Sequence, residues 1–351
     1  MNGNSQVKIE PQNEVIYKKS LVPIVSVCMG VLAALLVGFY IFLRFYNAYT
    51  FICIMNPDGQ TCTVAEIGKR SFASFIYFPS EVKIPETVDG IKVTGICEYA
   101  AEGKSEIKTV VAGEGVTVVG ENAFMSCGNL EGVFLAGTLE IIGGGAFRNC
   151  YSLENVECGG VKYVGKGAFE GCASLVSLNF SGIEHVDDRA FYGCASFEKA
   201  DFGDNIKRIG GEAFWGCEAL AEIKMNGAPE IGEYAFRGCT SLASASLGSA
   251  KSIGAGAFSG CRALPGVTLG KGTENIGDRA FSGCELLSDM YIPASLKSMG
   301  ECVFEKCPRL ERLIYEGTRG EWENAVILGA MWRDGSSITR VESMEGYVQY
   351  N

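Results

Sequence analysis

Near neutral pH, catalysis and metal binding fall mainly to histidine, cysteine and paired carboxylates. This chain of 351 residues holds one histidine, His185, and fifteen cysteines. One histidine leaves almost no room for Ser-His-Asp or Cys-His catalysis or for His-ligated zinc. His185 stands among Glu184, Asp187 and Asp188, which reads as a solvated turn. The cysteines lack the C-x-x-C spacing of metal and redox sites. The chain is therefore expected to be no enzyme and to need no cofactor or metal.

The cysteines have a different regularity. Ala-Phe-x-x-Cys recurs with Phe at 124, 147, 169, 191, 214, 236, 258 and 281, and a Val303-Phe304 variant closes the series. Cys follows each Phe by three, at 127, 150, 172, 194, 217, 239, 261, 284 and 307. An apolar residue and usually Gly precede each unit, as in Ile142-Gly143, Val164-Gly165 and Ile253-Gly254. A spacing of 22 or 23 residues is the period of a leucine-rich-repeat coil, which buries its apolar face only by stacking on its neighbours.

The expected fold is thus a repeat solenoid, a right-handed leucine-rich-repeat superhelix with a parallel β-sheet on its concave face. Leu175–Phe180 alternates as a strand, with Leu178 and Phe180 inward and Ser177 and Asn179 outward. Leu220–Met225, Leu242–Leu247, Leu264–Leu269 and Leu310–Tyr315 read the same way. The Gly after the apolar residue suits a turn with φ > 0, and Ala-Phe-x-x-Cys has the length of a short helical turn. Cys beside Phe acts as a small hydrophobe between coils, so the nine repeated cysteines are expected to be a ladder of buried thiols. Cys53 and Cys62 flank the turn signal Asn56-Pro57-Asp58-Gly59 and suit either a bridge or two thiols.

Composition agrees with one motif written many times: 46 Gly, with 47% hydrophobic and 20% charged residues. Thirty basic against 41 acidic side chains give a net charge of −11, which excludes the basic footprint of a nucleic-acid partner.

These residues resemble the BspA-type leucine-rich repeat surface proteins of bacteria, whose coils read roughly I-x-x-I-G-x-x-A-F-x-G-C-x-x-L-x-x-V-x-L. The similarity covers about residues 50 to 340. Val82–Ile96 is similar to the family's N-terminal cap, and Tyr315–Trp322 to a closing motif of gut Firmicutes members. Residues 97 to 115 depart as a degenerate first coil with Ala100-Ala101 in place of Ala-Phe, and Asp187 and Gly300 mark coils with looser turns. The resemblance implies adhesion to host extracellular proteins and to other microbes.

Residues 21–43 contain no charge, and as a helix they reach about 34 Å, enough for a hydrocarbon core of roughly 30 Å. Lys8, Lys18 and Lys19 precede the run and Arg44 follows it, so the N-terminus is expected in the cytoplasm and the repeats outside. The expected organisation is a tail at 1–20, a single-pass signal anchor at 21–43 and a cap at 50–96. One degenerate and nine regular coils follow at 97–314, with a closing cap and tail at 315–351.

A solenoid usually binds partners on its concave strands. The candidate residues there are Lys199, Asp201, Glu222 and Lys224 in the middle and Tyr291, Arg312 and Ile314 towards the end. The expected function is to bind protein or glycan ligands at the cell surface, in adhesion or host–microbe contact. The alternative is an envelope scaffold beneath the cell wall that binds a neighbouring membrane protein, which the short link from Leu43 to Thr50 favours.

Overall fold

The computed structural model describes residues 15–16, 49–69, 80–227, 229–324, 327–329 and 331–350. The apolar run at 21–43 lies outside them. Among the described residues no helix is long and apolar enough to cross a membrane.

The chain folds as a β-solenoid of stacked parallel strands. With one exception, each regular coil supplies two strands rather than the one expected. The first is only two residues long and ends on the apolar residue before the glycine: Ile141–Ile142, Tyr163–Val164, His185–Val186 and Arg208–Ile209 pair in parallel, in register. These short strands form a fifteen-stranded sheet that begins with the antiparallel hairpin Tyr49–Met55 and Thr61–Lys69, to which Val15–Ile16 adds. The second strands are the expected ones. Glu222–Met225, Ser244–Ser246, Gly266–Thr268, Asp289–Ile292 and Arg312–Tyr315 belong to an eight-stranded sheet that opens at Lys199–Gly203. A four-stranded sheet from Glu81–Ile84 to Asn155–Glu157 serves the earlier coils.

Between these two sheets the strand expected at 175–180 is reduced to a single bridge, Asn155 to Ser177. Its alternation stands, with Leu178 and Phe180 buried and Ser177 and Asn179 exposed. The interruption coincides with a change in the core. Phe180, Phe197 and Phe202 are all buried here, and Phe197 fills a position that neighbouring coils give to Leu175 and Leu220. Phe180 lies 4.7 Å from Phe202 and 6.0 Å from Phe197 between ring centroids. Rings thus stand where neighbouring coils carry leucine, although Glu198 N still donates to Val176 O at 3.0 Å at the start of the segment.

The Ala-Phe-x-x-Cys segment is a chain of i→i+3 turns rather than a helical turn, for example Cys172 N to Phe169 O at 3.0 Å. Left-handed residues two before and two after each Phe prevent a helix from propagating. Around Phe169 they are Gly167 (φ 60°) and Gly171 (φ 76°), but Arg189 (φ 58°) and Tyr234 (φ 56°) take the same conformation in later coils.

The glycine after the apolar residue is needed for a different reason than a positive φ. A Cβ on Gly254 would stand 2.6 Å from Glu233 N and from Gly232 C in the preceding coil, closer than real Cβ contacts allow. The column of glycines sets the distance between coils. Gly254→Ala is therefore expected to cost about 3 kcal/mol, the upper end of overpacking penalties, measured as a lowered urea midpoint. A loss below about 0.5 kcal/mol, typical of a surface change, would show that the coils part freely.

The core is one continuous column. The nine repeat phenylalanines stack coil on coil at 4.9 to 5.9 Å with planes within 14°. Beside them the nine repeated cysteines are buried free thiols. They do more than fill space. Each Sγ–H donates to the carbonyl of the residue at the Phe position one coil back, at 3.0 to 3.3 Å, from Cys127 to Ala101 O through Cys307 to Phe281 O. Cys53 and Cys62 are also thiols. Trp322 and Trp332 meet edge to face at 5.9 Å and close the C-terminal end, where Trp322 Nε1 donates to the Tyr350 hydroxyl at 2.8 Å.

Candidate functional site

The alternation of the second strands decides which side chains can meet a partner. In the eight-stranded sheet, Lys199 registers with Glu222 and Asp201 with Lys224. All four are exposed and form two crosswise ion pairs, Lys199 to Glu222 at 4.0 Å and Lys224 to Asp201 at 3.9 Å. At this exposure such pairs add little stability and leave both signs of charge on an open face. Asp201 also accepts from Gly203 N at 3.1 Å.

Towards the C-terminus Tyr291 registers with Ile314. Tyr291 is 53% exposed and stands apart from the tryptophan cap. Arg312 is engaged elsewhere. Its guanidinium donates to both oxygens of Glu342 at 2.9 and 3.1 Å, a carboxylate that Arg340 also reaches at 3.0 Å. The Arg312 hydrogen bond holds the Glu342 carboxyl below its ordinary pKa. The structure thus gathers the sequence candidates into one charged quartet and one Tyr291–Ile314 pair, with Arg312 fastened to the closing cap. Where the second sheet is interrupted, a cavity of about 480 Å³ opens among Val156, Glu157, Ser177, Leu178 and Asn179.

Two further clusters escaped the sequence reading. On the fifteen-stranded sheet the outward members of the two-residue strands form a register column of Val118, Ile141, Tyr163, His185 and Arg208. His185 is a half-buried strand residue here, not part of a solvated turn, and its ring lies 6.4 Å from that of Tyr163. The Tyr163 hydroxyl donates to Asp187 at 2.7 Å, and Arg208 donates to Asp187 at 2.5 Å and to Asp188 at 2.9 Å. The bond to Asp187, with burial and that carboxylate's charge, pushes the Tyr163 pKa up to about 12. Asp187 occupies the place that the eight other coils give to glycine, and this was the available signal. The second cluster lies along the turns. Tyr192, Trp215 and Tyr234 meet at 5.7 and 5.8 Å, with Arg189 over Tyr192 and Arg237 over Trp215 at 4.4 and 4.5 Å. Its members occupy two repeat positions, Tyr192, Trp215 and Arg237 directly after the Phe and Arg189 and Tyr234 two before it, whose residue types vary from coil to coil.

Among the described residues no group of three His, Cys, Asp or Glu is arranged to hold a metal. The thiols are poor nucleophiles. Burial pushes Cys127 and Cys172 up to about 12 and raises every other repeated cysteine.

A solenoid of leucine-rich-repeat coils with an exposed strand face defines the class of protein. The family model described as BspA type leucine rich repeat region, in six copies, matches residues 45–160, 157–250 and 229–325. The chain belongs to that family. Among solved structures it is similar to a leucine rich cell surface protein from Faecalibacterium prausnitzii A2-165, at 22% identity over 80% of this chain and 96% of that chain, TM-score 0.36. A leucine-rich repeat protein from Bacteroides ovatus is 21% identical over 86% and 99%, TM-score 0.33. The pneumococcal vaccine antigen PcpA is 14% identical over 86% and 87%, TM-score 0.38. No curated protein matches the chain.

Proposed function

We propose that this chain is a membrane-anchored, extracytoplasmic binding protein without enzymatic activity, acting in adhesion or host–microbe contact. It presents the outward strand face of its solenoid to a protein or glycan ligand. One observation carries the reading: Lys199, Asp201, Glu222, Lys224 and Tyr291 lie exposed on one sheet whose inward residues are fully committed to the core. Tyrosine and interspersed charge are what recognition surfaces present. Arg312 and Ile314 flank that face at its C-terminal end. The family consists of interaction repeats, and a solved neighbour is described as a cell surface protein.

The boundaries that go with this reading are a tail at 1–20, the anchor at 21–43, a cap at 50–96, coils at 97–314 and a closing cap at 315–351. In a membrane, a span at 21–43 would carry Val15–Ile16 away from Cys53 and Ile54, with which they pair here. Protease added to intact cells decides between these arrangements. Digestion of the repeats with protection of the N-terminal tail is the expected outcome, and protection of the repeats would overturn the topology.

The face is tested by capture of the full chain on matrix proteins, mucins and glycans. Tyr291→Ala and the pair Lys199→Glu with Lys224→Glu are expected to weaken capture about tenfold or more, or about 1.4 kcal/mol. Capture unchanged in both would remove the strand face from the function. The envelope-scaffold reading keeps one supporting observation, the short stretch between the apolar run and the hairpin at Tyr49–Met55. It gains if antibody reaches the repeats only after the wall is stripped.

A further inference from the structure

A trough runs over the glycine column of the fifteen-stranded sheet, where the backbones of successive coils pack directly on one another with no side chain between them. Gly120, Gly143 and Gly165 floor its N-terminal half. At the next coil Asp187 replaces the glycine, so its side chain closes the trough at that point. A cavity of about 330 Å³ lies in front of it, at the lower end of the volumes of small-molecule sites, roughly 300–1,000 Å³.

The two walls differ. One is the register column Val118, Ile141 and Tyr163, an apolar strip with Ile141 39% and Tyr163 37% exposed. The other is polar, formed by Glu121 and Lys166, and Asp187 stands at the end. Asp187 is fixed by the Tyr163 hydroxyl and by Arg208. Glu121 and Asp187 face Lys166 and Arg208, but Arg208 is shared with Asp188, so three carboxylates stand against two cations and the site disfavours an anion. The apolar strip spans two steps of strand spacing, about 10 Å.

We propose that this closed trough binds a neutral saccharide of about two pyranose units. A sugar ring has an apolar C–H face and a rim of hydroxyls. Its apolar face would lie on Ile141 and the Tyr163 ring while its hydroxyls meet Asp187, Glu121 and Lys166. An anionic sugar would meet more repulsion than attraction, and an apolar peptide would leave the polar wall unpaired. The second half of the trough, beyond Asp187, has Arg208, Glu230, Ser252 and Asn275 in the corresponding column and no apolar strip. The strand face contributes no side chain here, so this site stands or falls separately from the function proposed above.

The test uses the full chain in a sugar-free detergent, titrated with cellobiose, maltose and diacetylchitobiose and, for contrast, with sialyllactose and a heparin disaccharide. Binding is read by saturation-transfer NMR. At least one neutral disaccharide is expected to bind. Its affinity should fall tenfold or more in Asp187→Gly and in Tyr163→Ala and stay unchanged in Tyr151→Ala, an exposed tyrosine outside the trough. Asp187→Gly restores the residue found at this place in the eight other regular coils, so it is expected to fold. No binding of any neutral sugar, preference for the anionic sugars, or full affinity in both variants would each overturn the proposal.

Discussion

Raising the pH above 9 is expected to unfold the solenoid steeply. Nine thiols carry this effect. In the unfolded chain a cysteine ionises near 9.0, whereas burial raises all nine repeated cysteines, of which Cys307 is pushed up to about 11 and Cys127 and Cys172 to about 12. The sign follows from which state holds the proton. Below pH 9 both states keep it and the stability is fully present. Between 9 and about 11 the unfolded state releases protons that the folded state retains, so stability falls as pH rises, by about 1.4 kcal/mol per pH unit for each thiol. Nine such groups acting together would exhaust a typical 5–15 kcal/mol within one or two pH units. Each folded thiol is also held by the carbonyl one coil back, as Cys217 is by Phe191 O at 3.2 Å, a bond that only the protonated form donates. Urea midpoints followed from about pH 8 to about pH 10.5 measure the slope. Replacing Cys217 and Cys239 together by Ala should flatten it by two protons' worth. A midpoint constant across that range would show that the thiols reach water in the folded state.

The same ladder shows where reading residues in order succeeds. The period, the buried Phe column and the thiols follow from Ala-Phe-x-x-Cys, because a motif repeated every 22 or 23 residues forces equivalent positions into contact. The outward candidates of the second strands follow from alternation for the same reason. Two-residue strands such as Tyr163–Val164 have no alternation to read, so half of the sheet structure and the column containing Ile141, Tyr163 and His185 stayed hidden. The role of glycine was misjudged because close approach between coils is a property of the stack and leaves no trace in one coil. Asp187 marks the difference most clearly. As a residue it reads as a loose turn; as an exception in a glycine column it is a side chain placed where eight other coils forbid one. In a repeat protein the deviations from the repeat are the places to look for function.

Phe214→Ala is expected to be the most damaging single truncation in the chain, costing about 3–5 kcal/mol. Phe214 is completely buried and stacks on Phe191 at 4.9 Å and on Phe236 at 5.2 Å, with planes within 10°. It also receives the edges of Phe202 and Phe180, at 5.8 and 6.3 Å. No other ring of the column touches so many partners, because the extra phenylalanines at the sheet interruption converge on it and on Phe191. Removing it opens a cavity that a rigid stack cannot close, since the coil spacing is set by glycines against backbone rather than by the rings. Stability in a solenoid is a sum of coil terms and neighbour interfaces. The loss should therefore separate the unfolding of the coils on either side and broaden the transition as well as lower it. Phe304→Ala, at the end of the stack with a ring only on one side at 5.9 Å, should cost less and keep the transition sharp. Equal losses at the two positions would mean that the convergence of rings at the interruption adds nothing to the core.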